Sequence, residues 1–176
     1  VRYLDQVESD MVEHLEMFKP VEEQPSSPPG IPTGPRDEDV FVKYRVNVLV
    51  DNADCRGAPV IFEYNPTYYN LFGRIDYKAR FGAVATDLTM VKAGSMHRAN
   101  GGYLVVQARD LLNSPLSWES LKRTLRSKEI RTENIGEQYS PLPSVTLRPQ
   151  PIPFSSKVIM VGSPDIVRML QVYDED

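Results

Sequence analysis

The part of the chain that comes nearest to a catalytic site is an apolar run followed by two uncharged residues. Tyr103–Val106 has the composition of a buried strand, and Gln107 and Ala108 follow it directly. Enzymes that hydrolyse nucleotides place acidic residues at the end of such a strand, where one holds Mg²⁺ and another aligns the attacking water. An amide is a poor Mg²⁺ ligand, and alanine can neither orient nor deprotonate water. The pattern therefore predicts a strand that keeps its architecture and has lost its chemistry.

A phosphate-binding loop is also absent from the sequence. Such a loop requires Gly-x-x-x-x-Gly-Lys-Ser/Thr, because its backbone amides cradle the phosphates. Residues 30–36 contain two glycines, but prolines replace the amides and no lysine follows. We therefore expect no catalytic residue and no tight nucleotide binding in these 176 residues alone.

Composition excludes several other classes. The net charge of −4 argues against nucleic acid as a partner, since that binding depends on clustered Lys and Arg. No run approaches the roughly 20 apolar residues that span a bilayer, so no membrane association is expected. A single cysteine, Cys55, excludes an internal disulfide and suits a reducing, cytoplasmic location. His97 has no second ligand at metal-site spacing, so we predict no metal site.

Along its length the chain divides into three parts. Residues 1–19 carry an amphipathic helical stripe formed by Leu4, Val7, Met11, Leu15 and Phe18. Residues 20–40 contain six prolines and are predicted to be a linker. Residues 41–176 have the pattern of an α/β core. The helical pattern is already running at the first residue, which is not Met, so we expect a piece of a longer protein.

Short strands and helices alternate within this core. Strands or hairpin arms are predicted at Tyr44–Val50, Pro59–Glu63, Ala83–Val91, Gly102–Val106, Ile130–Glu133, Val145–Arg148 and Lys157–Val161. Gly102–Val106 is continuously apolar, which is typical of a strand buried on both faces. A helix is predicted at Pro115–Ser127, and Thr67–Phe72 is predicted to be one helical turn or an aromatic loop. The alternation favours an α/β fold with a doubly wound, mostly parallel sheet and β-hairpin insertions.

Three segments carry a resemblance to a known family. GAPVIFEYNPTYYNLFGRI, HRANGGYLV and WESLKRTLRSKEIRTE follow one another in this order. Together they resemble the AAA+-like region of Lon-family proteases, especially the bacterial Lon-like group whose ATPase module contains a long helical insertion. The resemblance implies a partial AAA+-like core, with residues 1–19 as the end of that insertion. In this family the position of Gln107 is usually Asp, whereas the next position is often non-acidic.

The resemblance also implies roles for particular residues. Gln107, Ala108 and Ser163 become degenerate nucleotide-site positions, Ser163 standing where AAA+ proteins keep a polar residue near the γ-phosphate. Residues 65–75 occupy the place of the loop with which AAA+ unfoldases grip polypeptide, and the candidate side chains there are Tyr68, Tyr69, Leu71 and Phe72. A buried turn, with Leu71 and Phe72 covering the sheet, is the alternative. His97 and Arg98 either cap a turn or take part in nucleotide sensing.

For the function, the resemblance implies a non-catalytic module of a Lon-family serine protease. It would support a homo-oligomeric, hexameric ring and deliver unfolded or damaged proteins to a separate Ser–Lys peptidase domain. Ser156 and Lys157 do not supply that dyad, because neighbouring residues on a strand point to opposite faces. ATP and Mg²⁺ are expected only in the intact parent. The alternatives are an active ATPase whose P-loop lies upstream, and an interaction domain without a role in translocation.

Overall fold

The computed structural model describes residues 2–18, 41–80, 83–135 and 147–173. The chain forms two compact units, Val1–Val46 and Asn47–Asp176. The linker predicted at residues 20–40 and the first part of the predicted arm Val145–Arg148 lie outside the described residues. No helix in the described ranges is long and apolar enough to cross a membrane.

The first unit contains the predicted amphipathic helix. Helix α1 (Arg2–Glu13) is followed by a 3₁₀ turn at Leu15–Phe18, and none of its residues is buried. The carboxylate of Asp10 accepts hydrogen bonds from Lys43 Nζ (2.7 Å) and from the Tyr44 hydroxyl (2.6 Å). These two bonds lower the pKa of Asp10. Among the described residues of this unit none is buried, and the ring of Phe18 lies 5.5 Å from that of Phe41 and 6.1 Å from that of Tyr44.

The second unit is built on a three-stranded parallel sheet with small antiparallel pairs around it. Its helices are α2 (Tyr68–Phe72), α3 (Ser95–Arg98), α4 (Ala108–Leu112), α5 (Pro115–Ser127) and α6 (Pro164–Tyr173). Its strands are β1 (Val60–Glu63), β2 (Arg74–Ile75), β3 (Lys78–Arg80), β4 (Ala83–Ala85), β5 (Val91–Lys92), β6 (Tyr103–Gln107), β7 (Glu129–Ile130), β8 (Ile152–Pro153) and β9 (Lys157–Val161). The parallel sheet has the order β1-β6-β9, and β2-β5, β3-β4 and β7-β8 form antiparallel pairs. The predicted mixed α/β class with β-hairpin additions is confirmed.

The core lies on one face of the parallel sheet. Leu104 and Val106 of β6 are buried and cluster with side chains from the helices, including Met96, Leu111 and Leu121. The prediction that this strand is buried on both faces is wrong, because Val105 is only half-buried and points to the other face. Neighbouring apolar residues of that face are exposed, namely Val60, Phe62, Ile159 and Val161. The buried core of the described residues therefore lies against one face of this sheet.

Two strand predictions need correction. Tyr44–Val50 alternates like a strand, but it contains no strand in the structure. An alternating segment forms a strand only where a neighbouring strand supplies backbone hydrogen bonds. Here a side chain makes the contact instead, because the amide of Asn47 donates to the carbonyl oxygens of Leu88 (2.8 Å) and Val91 (2.9 Å). The hairpin expected between Ile130–Glu133 and Val145–Arg148 also differs from the structure: β7 pairs with β8 further along the chain, and the described residues of the second arm, Leu147 and Arg148, form no strand.

The remaining elements agree with their patterns more closely. Helix α5 has the predicted bounds, with Pro115 in its first turn and Lys128 ending it in the left-handed region at φ 57°. The predicted strand or hairpin arm at Ala83–Val91 is divided into β4, a 3₁₀ turn at Leu88–Met90 and the start of β5. The strands predicted at Pro59–Glu63 and Lys157–Val161 are β1 and β9.

Candidate functional site

The three predicted nucleotide-site positions lie at one edge of the parallel sheet. Gln107 is paired in register with Val161, so β6 and β9 end together. Ala108 directly follows Gln107, and Ser163 lies two residues beyond Val161. In open α/β sheets, ligands bind in the crevice outside the carboxyl ends of the strands. The fold therefore brings Gln107, Ala108 and Ser163 together at the carboxyl ends of β6 and β9, and the nucleotide-site role of these positions stays a prediction.

The side chains at this edge differ in accessibility. Gln107 and Ser163 are exposed, whereas Ala108, the first residue of α4, is only 3% exposed. A Cβ atom built on Gly162 would lie 3.1 Å from the Cβ of Ala108. The methyl group of Ala108 thus faces the end of β9 at close range. This position therefore holds a buried methyl group and no polar side chain.

Ser163 lies where β9 leads into α6. Its carbonyl oxygen accepts hydrogen bonds from the backbone N–H groups of Ile166 (3.1 Å) and Val167 (3.4 Å), which begin the helix. An amide, a methyl group and a hydroxyl are thus the functional groups at the three positions. None is a carboxylate, and no group of three His, Cys, Asp or Glu residues in the described part of the chain could hold a metal ion. This edge lacks both a strong Mg²⁺ ligand and a general base at the predicted positions.

The aromatic segment forms the short helix α2. Thr67 caps it, since its Oγ1 accepts from the N–H of Asn70 (3.4 Å), and Gly73 ends it at φ 78°. Leu71 and Phe72 are 0% and 1% exposed, so both belong to the core. For these two side chains the structure therefore shows the buried turn and not an exposed polypeptide-gripping surface.

The two tyrosines of α2 remain closer to the surface. Tyr69 is 39% exposed, and Tyr68 is half-buried, with its ring 5.1 Å from that of Phe72 and 5.6 Å from that of Tyr69. Burial is the main cause that raises the pKa of Tyr68 to about 12. Tyr69 and the outer part of Tyr68 are thus the accessible aromatic surface of the helix. That they grip polypeptide stays a prediction.

His97 lies beneath this helix and caps a turn. Its Nδ1 accepts from the N–H of Gly94 (3.2 Å), and its Nε2 lies 3.4 Å from the Oγ1 of Thr132. The Thr132 hydroxyl in turn donates to the carbonyl oxygen of Phe72 (3.0 Å). Burial lowers the pKa of His97 to about 4, so the ring is neutral near pH 7. Arg98 instead points to Glu63, 3.7 Å away.

Sequence reasoning identified only part of this polar cluster. The bond between Gly94 and His97 joins residues only three positions apart, so the expectation that His97 caps a turn depends on the local sequence alone. Thr132 was missed because it lies 35 residues beyond His97, and no local pattern connects them. Elsewhere, the Ser156 hydroxyl donates to the carbonyl oxygen of Ala99 (2.7 Å), which leaves its proton committed away from the exposed Lys157.

Comparison with known proteins agrees with this arrangement. A family model described as a LonB-like AAA domain matches residues 56–176, which is well over half of the chain. The matched range includes all strands of the parallel sheet, the aromatic helix α2, and Gln107, Ala108 and Ser163. No curated protein matches the chain.

Proposed function

The chain belongs to the LonB-like AAA domain family, and from this premise we propose that it is a non-catalytic AAA module of a Lon-type protease. The observation that carries the proposal is the pair Gln107 and Ala108 at the end of the central strand. One offers Mg²⁺ a neutral amide, and the other is a buried methyl group against Gly162. The AAA architecture is retained here without the groups that hydrolysis requires.

The role that we propose for the module is mechanical. It supports a homo-oligomeric ring and delivers unfolded polypeptide to a separate Ser–Lys peptidase domain, while ATP and Mg²⁺ belong to other parts of the intact protein. The support for delivery is the exposed ring of Tyr69 beside the partly exposed ring of Tyr68. Aromatic rings suit such a task, because they give a large contact area at little cost in side-chain entropy.

Degradation of an unfolded protein by the intact protease that contains this chain tests both parts of the proposal. Tyr69→Ala is expected to slow degradation several-fold, on the scale of a lost aromatic contact, and to leave hydrolysis of a short peptide unchanged. Tyr64→Ala is the matched control, since Tyr64 is 76% exposed but lies outside α2. Gln107→Ala should have little effect, because it removes no carboxylate. Wild-type degradation by the Tyr69 variant would contradict delivery, and a large loss from Gln107→Ala would contradict the non-catalytic role.

A further inference from the structure

The C-terminal end of the aromatic helix α2 is held by side chains from distant parts of the chain. The last carbonyl groups of a helix have no partner inside it. In α2, the carbonyl oxygen of Asn70 accepts from Ser95 Oγ (3.1 Å), and that of Phe72 accepts from Thr132 Oγ1 (3.0 Å). Ser95 is 0% exposed and Thr132 is 8% exposed. The end of α2 is therefore tied in the interior to α3 and to the segment that follows β7.

The ring of His97 extends this connection. Because Nδ1 accepts the N–H of Gly94, it carries no proton, and a neutral imidazole then has its proton on Nε2. The Oγ1 of Thr132 faces Nε2 and can accept from it, since the Thr132 hydroxyl donates its own proton to Phe72. A relay of hydrogen bonds thus runs from Gly94 through His97 and Thr132 to the carbonyl group of Phe72.

Close backbone contact completes the junction. A Cβ atom on Gly94 would lie 2.3 Å from the carbonyl oxygen of Leu71 and 2.5 Å from the nitrogen of Gly73. A Cβ atom on Gly73 would lie 2.2 Å from the carbonyl oxygen of Lys92. No side chain fits between these segments, so the end of α2 and the start of α3 lie directly against each other.

We propose that this junction makes α2 and residues 94–102 one rigid body, with His97 and Thr132 as its positioning residues. Residues 94–102 lead directly into β6, whose end carries Gln107. A displacement of the central strand is therefore transmitted to Tyr68 and Tyr69. The significance of this coupling for polypeptide delivery rests on the proposed function, whereas the rigid junction itself does not.

Amide hydrogen exchange in the 176-residue chain tests the junction. Thr132→Val keeps the side-chain shape but removes the hydroxyl, whereas Thr132→Ser keeps the hydroxyl. The amides of Leu71 and Gly73, which donate inside α2 and at its end, should exchange about tenfold faster or more in the valine variant, because a buried group is left unsatisfied. The serine variant should exchange like wild type. The amide of Tyr103, which donates to Pro59, is the internal reference and should not change.

Three results would overturn the inference. The first is wild-type exchange at Leu71 and Gly73 in the valine variant. The second is an equal acceleration at Tyr103, which would show general destabilisation and not a local junction. The third is an imidazole nitrogen spectrum that places the proton of His97 on Nδ1, since the relay requires it on Nε2. Neither measurement involves nucleotide or polypeptide substrate. Failure of the proposed function would therefore leave both unaffected.

Discussion

Gln107 and Ala108 differ in their exposure to solvent, and therefore in whether an acidic side chain could replace them. Gln107 is exposed at the edge of the sheet, so a charged side chain there would remain in water. Ala108 is buried against Gly162, where a charged side chain would lose its hydration. The lack of an acidic residue at these two positions is evident from the sequence, because they directly follow the strand in the chain. The packing of Ala108 was not predictable, since Gly162 approaches it only through the pairing of β6 with β9.

An acidic residue is therefore expected to destabilise the fold at position 108 and to have little effect on stability at position 107. Ala108→Glu should lower the free energy of unfolding by on the order of 1–3 kcal/mol, because a carboxylate enters a packed site. The attraction between a glutamate and the start of a helix is smaller than this cost. Gln107→Glu, the matched control, should change stability by no more than about 0.5 kcal/mol. Urea unfolding measures both, and equal stability of the two variants would contradict the packing described for Ala108.

His97 predicts a pH dependence of stability. Its pKa is about 4 in the folded chain, whereas the ordinary value of 6.5 applies to the unfolded chain. The unfolded state therefore binds more protons than the folded state between pH 4 and pH 6.5. Stability is therefore fully present above pH 6.5 and falls as the pH decreases towards 4, by about 3 kcal/mol in total. Urea unfolding between pH 4 and pH 7 should show this slope reduced in His97→Asn and retained in His14→Asn. Identical slopes in the two variants would contradict the assignment.

Among the elements, those with local signals were predictable and those that depend on distant partners were not. Helix α5 has its predicted bounds, because a proline in the first turn and the spacing of Trp118, Leu121 and Leu125 are all local. The segment Tyr44–Val50 has an equally regular pattern, but a strand also requires a neighbouring strand, which the pattern cannot supply. The partner of β7 was misplaced for the same reason.

The same distinction applies to the candidate site. The short helix α2 and the position of Gln107 and Ala108 at the end of a strand could be predicted from the sequence, whereas a nucleotide site at that strand end stays a prediction. The division of α2 into the buried pair Leu71 and Phe72 and the more exposed Tyr69 depends on the elements that pack around it. A five-residue helix has too few residues for periodicity to determine which side chains face the core.

The junction between α2 and α3 predicts an asymmetry between two glycines. Gly94→Ala should reduce the free energy of unfolding by about 1–3 kcal/mol, because its Cβ would collide with backbone atoms that cannot rotate away. Gly57→Ala is the control, since nothing lies within 4 Å of a Cβ at that position. Thermal unfolding of both variants measures the difference. A Gly94 variant as stable as the Gly57 variant would show that the two segments separate easily.

For the whole molecule, the two compact units have different sources of stability. Every buried core residue in the described part of the chain belongs to the unit Asn47–Asp176, whereas α1 in the unit Val1–Val46 buries none of its residues. The LonB-like AAA match likewise begins at residue 56. The residues that match the AAA domain family therefore all lie in the second unit.

This division predicts that deletion of residues 1–46 leaves the second unit folded. Since none of the described residues in the deleted part is buried, the thermal midpoint of the remaining unit should shift by less than about 4 °C, which corresponds to under about 1 kcal/mol. Circular dichroism on heating measures the shift. Loss of the cooperative transition would show that α1 is part of the folding unit after all.

Magnesium-dependent ATP turnover tests most directly whether the end of β6, at Gln107, lacks a role in hydrolysis. The measurement compares the intact protein that contains this module with its Gln107→Ala variant. If the strand has lost its chemistry, the two turnover rates will be the same, because the substitution removes neither a Mg²⁺ ligand nor a base. A loss of on the order of 10²-fold or more in the variant, the scale of a missing catalytic group, would show that Gln107 takes part in hydrolysis and would contradict the account.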